Sequence, residues 1–249
     1  MGLPKLAAPE YSLTLPSTGK ELKYRPFLVK EEKLLLLAME SDDEKQIMSA
    51  TKQVIKSCVL EELNVEELPT FDIEYIFLWL RGKAKGEVVE LKYKCPDCTN
   101  EIDISFNIEE IDVQFNDKHQ KDIKLTDDLG VVMRYPNIAL QAKMKSTGNE
   151  KSEDKINNLF KTVESCIDYI YDAETTYPSK DYTAKEMQEF LDSLTDSQFQ
   201  SIANFFETMP KLAHDVKLHC KNKVKSDGKE KTCGYKEDRT LEGLQSFFG

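Results

Sequence analysis

Residues 92–101 read KYKCPDCTNE and place two cysteines, Cys95 and Cys98, two residues apart. Two thiols at this spacing can bind one metal ion, and a structural zinc site needs four ligands. Apolar and polar residues alternate strictly on both sides of the pair, over 89–94 and 102–108. This alternation predicts a β-hairpin with the cysteines at its tip.

The other half of such a site is expected near the end of the chain, at Cys220 and Cys233. Cys58 and Cys166 fall on the apolar faces of predicted helices, where a thiol is most simply part of a core. Four thiolates in tetrahedral array suit zinc and need no redox role. We therefore expect one structural zinc on Cys95, Cys98, Cys220 and Cys233, in a split zinc-ribbon-like module built from 87–108 and 214–238.

The second pair has an unusual spacing, because twelve residues separate its cysteines where a ribbon normally has two. Most of 221–232 looks like an expanded loop. His219 is adjacent to Cys220 and could replace it as a ligand, and thiols without metal are a further alternative. A catalytic zinc usually takes histidines or a carboxylate and keeps an open position, but His119, His214 and His219 lack the helical spacing of zinc proteases.

Length and charge narrow the class of protein. The chain has 249 residues and a formal net charge of -11, which argues against an extended surface for nucleic-acid phosphates. Its longest apolar stretch, near 34–39, is too short to cross a bilayer, and the start of the chain lacks the apolar run of an export signal. We therefore expect no membrane contact and a cytoplasmic location, with cysteines that are reduced or metal-bound.

The predicted fold class is α+β, a helical body with short antiparallel β-hairpins, in a single compact domain over 1–249. Helical patterns occupy about 30–86 and 155–212, and 11–29 reads as a hairpin. Short strands are expected over 111–135.

Several helix ends are marked by capping residues. Ser41 with Glu44 forms a possible capping box, and two further boxes pair Thr183 with Glu186 and Thr195 with Gln198. The end of the chain, 240–248, is predicted to form a helix with Thr240 as its cap. One apolar face of this helix would carry Leu241 and the candidate partner-binding residues Leu244, Phe247 and Phe248.

Three blocks of sequence carry a resemblance to a known family. They are LPKLAAPEYSLTLPSTGKELKYRPFLVKEEKLLLLAMES (3–41), FDIEYIFLWLRGKAKGE (71–87) and CGYKEDRTLEGLQSFFG (233–249). In this order they resemble the baseplate hub proteins of T-even-like contractile-tail bacteriophages. Members are similar in carrying one Cys-x2-Cys pair near the middle and a second pair near the C-terminus.

The resemblance implies a structural or assembly role in the baseplate hub, with other hub or tail proteins as partners and no catalytic activity. It implies assembly in the host cytoplasm and a place in the tail baseplate of the virion, and leaves open whether the protein stays there. The alternative function is a zinc-ribbon nucleic-acid-binding module, because five lysines in 221–231 form a local basic patch.

Overall fold

The computed structural model describes residues 6–41, 43–137, 140, 152–226 and 229–243. Within these ranges the chain forms six α-helices and thirteen β-strands, so the expected α+β class is confirmed. The helices are α1 (Val29–Glu40), α2 (Glu44–Cys58), α3 (Thr70–Lys85), α4 (Ser152–Cys166), α5 (Ala184–Asp192) and α6 (Asp196–Thr208).

The strands are short, and every pair is antiparallel. They are β1 (Tyr11–Thr14), β2 (Glu21–Tyr24), β3 (Val88–Lys94), β4 (Glu101–Asn107), β5 (Asp112–Gln114), β6 (Asp122–Lys124), β7 (Gly130–Met133), β8 (Ile167–Tyr171), β9 (Thr176–Pro178), β10 (Lys211–His219), β11 (Lys223–Ser226), β12 (Lys229–Thr232) and β13 (Lys236–Glu242). Across the described ranges they form hairpins β1-β2, β3-β4 and β11-β12, a sheet of order β13-β10-β5, and a sheet of order β6-β7-β8-β9.

The chain divides into two compact units. Unit 1 contains Met1–Val65, Phe71–Gln114 and Lys211–Gly249, and unit 2 contains Glu66–Thr70 and Phe115–Pro210. The single domain expected over 1–249 stays a prediction.

Helix α3 is the centre of unit 1, as its nearly continuous apolar sequence predicts. Ile73, Ile76 and Leu78 are completely buried along it. Its first turn fixes the β1-β2 hairpin, since the Ser17 amide donates to Asp72 Oδ1 at 3.0 Å and the Ser17 hydroxyl donates to the same carboxylate.

Gly82 of α3 allows close packing of Ile108, the residue that follows the β3-β4 hairpin. A Cβ at this position would lie 1.8 Å from the Cδ1 atom of Ile108, whose side chain is completely buried. Gly82→Ala is therefore expected to destabilise the protein by about 1–3 kcal/mol, because overpacking outweighs the better helix propensity of alanine. Urea unfolding would measure the loss, and Ile108→Val, which removes Cδ1, should restore part of it in the double mutant. Additive effects of the two substitutions would refute the contact.

The junction of α1 and α2 differs from the sequence prediction. Ser41 does not cap α2; its hydroxyl donates to the Ala38 carbonyl at 2.6 Å and ends α1. Asp43 is the N-cap, and its carboxylate accepts from the Lys45 amide. Asp43 lies one residue before the first helical residue, where an N-cap must stand, and Ser41 is too far away.

Unit 2 packs helices against the β6-β7-β8-β9 sheet. Its core joins Val131 of β7, Val163 and Cys166 of α4, Met187 of α5 and Phe205 of α6. The capping boxes at the starts of α5 and α6 are confirmed. The region 155–212 is not continuously helical, however, because β8 and β9 interrupt it. In β8 the buried residues Ile167 and Ile170 are three apart, a spacing that a helix also gives, so periodicity does not distinguish this strand from the helix before it.

The predicted C-terminal helix is wrong where the structure describes it. Thr240 and Leu241 belong to β13, which pairs with β10 from His219↔Lys236 to Ala213↔Glu242. Leu241 is buried, and the Thr240 hydroxyl donates to Asp215 Oδ1 at 2.6 Å across the ladder. Strand pairing and burial of Leu241 override the helical spacing. Leu244, Phe247 and Phe248 lie outside the described residues.

Candidate metal centre

Four sulfur atoms meet in unit 1. The Sγ atoms of Cys95, Cys98, Cys220 and Cys233 all lie within 4.8 Å of one another. Cys95 Sγ is 3.7 Å from Cys233 Sγ, and Cys98 Sγ is 3.5 Å from Cys220 Sγ. A tetrahedral site with metal–sulfur bonds of about 2.3 Å has sulfur–sulfur edges of about 3.8 Å, so these separations fit one four-coordinate ion.

The first pair of thiols lies on a tight turn at the end of the β3-β4 hairpin. The last strand pair is Lys94↔Glu101, and six residues, 95–100, connect it. The Cys95 amide donates to the Asn100 carbonyl and the Thr99 amide donates to the Cys95 carbonyl, both at 2.9 Å. Thr99 has a φ of 60°, in the left-handed region, which turns the chain back into β4.

The second pair repeats this arrangement at the end of the β10-β13 hairpin. The last strand pair is His219↔Lys236. The Cys220 amide donates to the Tyr235 carbonyl at 2.9 Å, and the Gly234 amide donates to the Cys220 carbonyl at 3.1 Å. Gly234, with a φ of 75°, occupies the place that Thr99 has in the first turn.

The long spacing of the second pair has a structural explanation. Strands β11 and β12 form a hairpin inserted between Asn222 and Cys233, and the Cys233 amide donates to the Asn222 carbonyl at 2.8 Å to close its base. Without residues 223–232 the second turn would read Cys-x2-Cys, like the first. The expected expansion is therefore a defined hairpin, and it leaves the ligand turn intact.

Backbone amides surround the sulfur atoms. Three amides, each two residues beyond the cysteine, donate to sulfur: Asn100 to Cys98, Asn222 to Cys220 and Tyr235 to Cys233. The buried Ile102 and the partly buried Tyr93 and Tyr235 pack against the cluster. The site thus combines donors that favour thiolates with an apolar shell that limits water.

The thiols influence one another's ionisation. Burial opposes the charged form of Cys220, but the Asn222 amide, neighbouring thiols and the Asn222 side chain outweigh it and lower the pKa of Cys220 to about 7. At Cys233 the Tyr235 amide favours the thiolate, but burial and the neighbouring thiols raise its pKa to about 12. Without a cation, the cluster thus favours the thiolate of Cys220 and opposes ionisation of Cys233. A bound cation would favour both thiolates, because metal ligands must be deprotonated.

Cys220, not His219, completes the sulfur cluster. Cys220 is completely buried, whereas the preceding residue, His219, is exposed. Successive residues at the end of a strand point to opposite sides, so only one of the two can face the other thiols.

Sequence reasoning missed Asn222. Its amide side chain donates to Cys220 Sγ at 3.4 Å and to the Glu101 carbonyl at 2.8 Å, which links the two ligand turns. Asn222 lies near the start of the stretch 221–232, which looks like an expanded loop. Its place in the ligand turn becomes visible only when 223–232 is recognised as an insertion.

Unit 2 contains a surface cavity of about 750 Å³ between the β6 segment and α6. The cavity is lined by Lys118, Gln120, Lys121, Asp122, Ile123, Lys124, Ser201, Asn204, Phe205 and Thr208. Its one carboxylate, on Asp122, accepts a hydrogen bond from the Tyr171 hydroxyl at 2.7 Å. The lining holds neither cysteine nor histidine, and its Thr208 hydroxyl lies 3.0 Å from His119 Nδ1 and donates to the Asn204 carbonyl.

Comparison with known families identifies the group to which the chain belongs. Residues 8–249 match the model of a family described as T4 bacteriophage base plate protein. No curated protein and no solved structure matches the chain. The matched range includes all four clustered cysteines and both units.

Proposed function

Because the chain belongs to the family of T4 bacteriophage base plate proteins, we propose that it is a structural or assembly component of the baseplate hub of a contractile tail. The family makes it a tail component that contacts other tail proteins. The match over 8–249 is the observation that carries the baseplate role. The hub position is the finer proposal, and it rests on the resemblance of 3–41, 71–87 and 233–249 to hub proteins. The protein acts through protein–protein contacts and catalyses no reaction.

One structural zinc is part of this proposal. Cys95, Cys98, Cys220 and Cys233 would hold it, and its chemistry there is to fix four thiolates and close the fold. Four sulfur donors without a carboxylate or an imidazole leave no open position for a substrate, which supports a structural ion. The metal would join the β3-β4 hairpin to the β10-β13 hairpin, whose ligand pairs are 121 residues apart in sequence.

The proposed partners are other hub or tail proteins, not nucleic acid or membrane. The net charge of -11 opposes extended phosphate binding. Among the described residues no helix has the length and apolarity needed to cross a membrane. We further propose Leu244, Phe247 and Phe248 as partner anchors, assembly in the host cytoplasm, and a final place in the virion baseplate.

The function is tested by removing the gene from the phage that encodes it. We expect infected cells to accumulate no complete tails, because the hub is required for the baseplate to form around it. Electron microscopy of lysates would count tails, and mass spectrometry would compare hub intermediates with finished virions. Protein in both fractions indicates a structural subunit, and protein in intermediates alone indicates an assembly factor. Normal tails without the protein would contradict both.

A further inference from the structure

The β11-β12 hairpin differs from the other two-stranded hairpins of unit 1 in having almost no apolar residues. In the described part of the chain its two strands pair only with each other, from Lys223↔Thr232 to Ser226↔Lys229. Val224 is the sole large apolar residue in 221–232. An isolated two-stranded hairpin is marginally stable in water, so this one depends on its anchor at Cys220 and Cys233.

The anchor of the hairpin lies within the candidate metal centre. The 2.8 Å bond from the Cys233 amide to Asn222 closes the hairpin base, and the Asn222 side chain holds the Glu101 carbonyl. Both ends of the insertion are therefore fixed within a few residues of the sulfur cluster. A bound metal would hold the hairpin in one direction relative to unit 1.

The hairpin carries charge opposite to the rest of the protein. Five lysines against Asp227 and Glu230 give 221–232 a net charge of +3, so the remaining residues carry -14. One lysine is partly compensated, since Lys223 Nζ lies 3.4 Å from Glu230 Oε2, but its side chain is still 74% exposed. Lys221 and Lys231 are exposed as well.

We propose that the described residues of this hairpin, 221–226 and 229–232, form an electrostatic docking arm for an acidic surface on another tail protein, and that the candidate metal centre holds this arm in place. The proposal rests on the proposed function, which supplies a tail protein as the partner. Charge complementarity points to an acidic surface, because basic residues with almost no apolar area bind through charge.

The negative charge of the rest of the chain favours a protein partner over nucleic acid. A long polyanion would extend over the acidic remainder of the chain and be repelled. A local acidic patch on a protein meets only the arm, within the Debye length of about 8 Å at physiological salt.

Deletion of 223–232 gives the sharpest test. The variant reads Cys220-Lys221-Asn222-Cys233, a Cys-x2-Cys turn like Cys95–Cys98, so it should retain its metal content and melting temperature. We expect tail yield in infected cells to fall by about tenfold or more, as loss of electrostatic association predicts. If this variant folds, contains metal and still gives the wild-type yield of tails, the proposed docking role of the arm is wrong.

Two triple variants test whether the arm acts through the charge of its lysines or through its shape. Lys221→Gln, Lys223→Gln and Lys231→Gln together should reproduce the loss of tails, whereas arginine at the same three positions should preserve assembly. Equal loss in both variants would overturn an electrostatic role. The zinc content of both triple variants should equal that of the wild type. If either variant loses zinc, the deletion of 223–232 decides whether the arm is needed for assembly.

Cross-linking identifies what the arm contacts. A photo-cross-linking residue in place of Thr232 is expected to capture an Asp- and Glu-rich peptide of another tail protein during assembly. Capture of a second copy of this chain, or of nucleic acid, would overturn the proposal. Salt-sensitive binding of a short DNA duplex by the purified protein would overturn it as well. If the gene deletion stops assembly and the hairpin deletion does not, only the arm is refuted; normal tails without the gene refute the proposed function.

Discussion

Replacing Cys95 with serine is expected to release the metal and to lower the free energy of unfolding by several kcal/mol. Cys95 is 1% exposed, and its sulfur is 3.7 Å from that of Cys233 on the other hairpin. Structural zinc contributes about 10–16 kcal/mol in apparent terms to small peptides, and a larger surrounding core reduces the loss. Elemental analysis should give one zinc per wild-type chain and almost none for the variant, and urea unfolding should give the stability difference.

Cys166→Ala provides the matched control. Its thiol is as buried as those of Cys95 and Cys220, but it belongs to α4 and the core of unit 2. The control should keep its zinc, because it removes a thiol without removing a proposed ligand. Wild-type protein with four freely titrating thiols and negligible zinc would contradict the assignment, and substitution by Co²⁺ would report tetrahedral thiolate coordination through its visible absorption.

The grouping of the four cysteines was accessible from sequence because Cys95, Cys98 and Cys220 lie where an alternating pattern ends, and Cys233 stands before a glycine, outside any helical pattern. The alternation before Cys95 and after Cys98 predicts the β3-β4 hairpin, which the structure confirms. Cys58 and Cys166 could be set aside because both fall on the apolar faces of predicted helices, and the structure buries both completely. Local periodicity therefore separated core thiols from clustered thiols.

The inserted hairpin could not be predicted from the same pattern. Lysine-rich sequence with one valine resembles a solvated loop, and the bonds that define the second turn join residues on either side of the insertion. The strands β8 and β9 were missed because they lie between two strong helical patterns. Leu241 was assigned to a helix because spacing alone does not report its pairing partner in β10.

Arg25→Ala is expected to lower the free energy of unfolding by up to about 3–5 kcal/mol, because it leaves a buried carboxylate with the exposed Lys30 as its remaining cationic partner. Arg25 Nη2 is 2.9 Å from Glu31 Oε1, and the Glu31 side chain is only 5% exposed. The same guanidinium donates to the Ser57 carbonyl at 2.9 Å, near the end of α2. Arg25 therefore joins the start of α1 to the end of α2, where carbonyl groups lack helical partners.

Lys185→Ala is the control for the loss of one positive charge. Lys185 forms an exposed pair with Glu189 at 3.5 Å, with side chains 86% and 65% exposed. Such pairs contribute about 0–1 kcal/mol, so this variant should unfold nearly as the wild type does. Urea unfolding near neutral pH compares the two, and similar small losses for both would show that Glu31 does not need Arg25.

Glu31→Gln tests the same ion pair through its pH dependence. Burial opposes ionisation of Glu31, but hydrogen bonds from Arg25, the Leu28 amide and Lys30 outweigh it and hold its pKa below the usual value. A depressed pKa in the folded state stabilises the protein above the unfolded-state pKa of about 4.3, and this contribution is lost as the pH falls through the folded-state value. The wild type should therefore be more stable than Glu31→Gln at neutral pH, and the difference should shrink as the solution is acidified. Both proteins contain the same four clustered cysteines, so acid effects on the candidate metal centre are common to both. A stability difference that is constant between neutral and acidic pH would show that the charge on Glu31 contributes nothing to the fold.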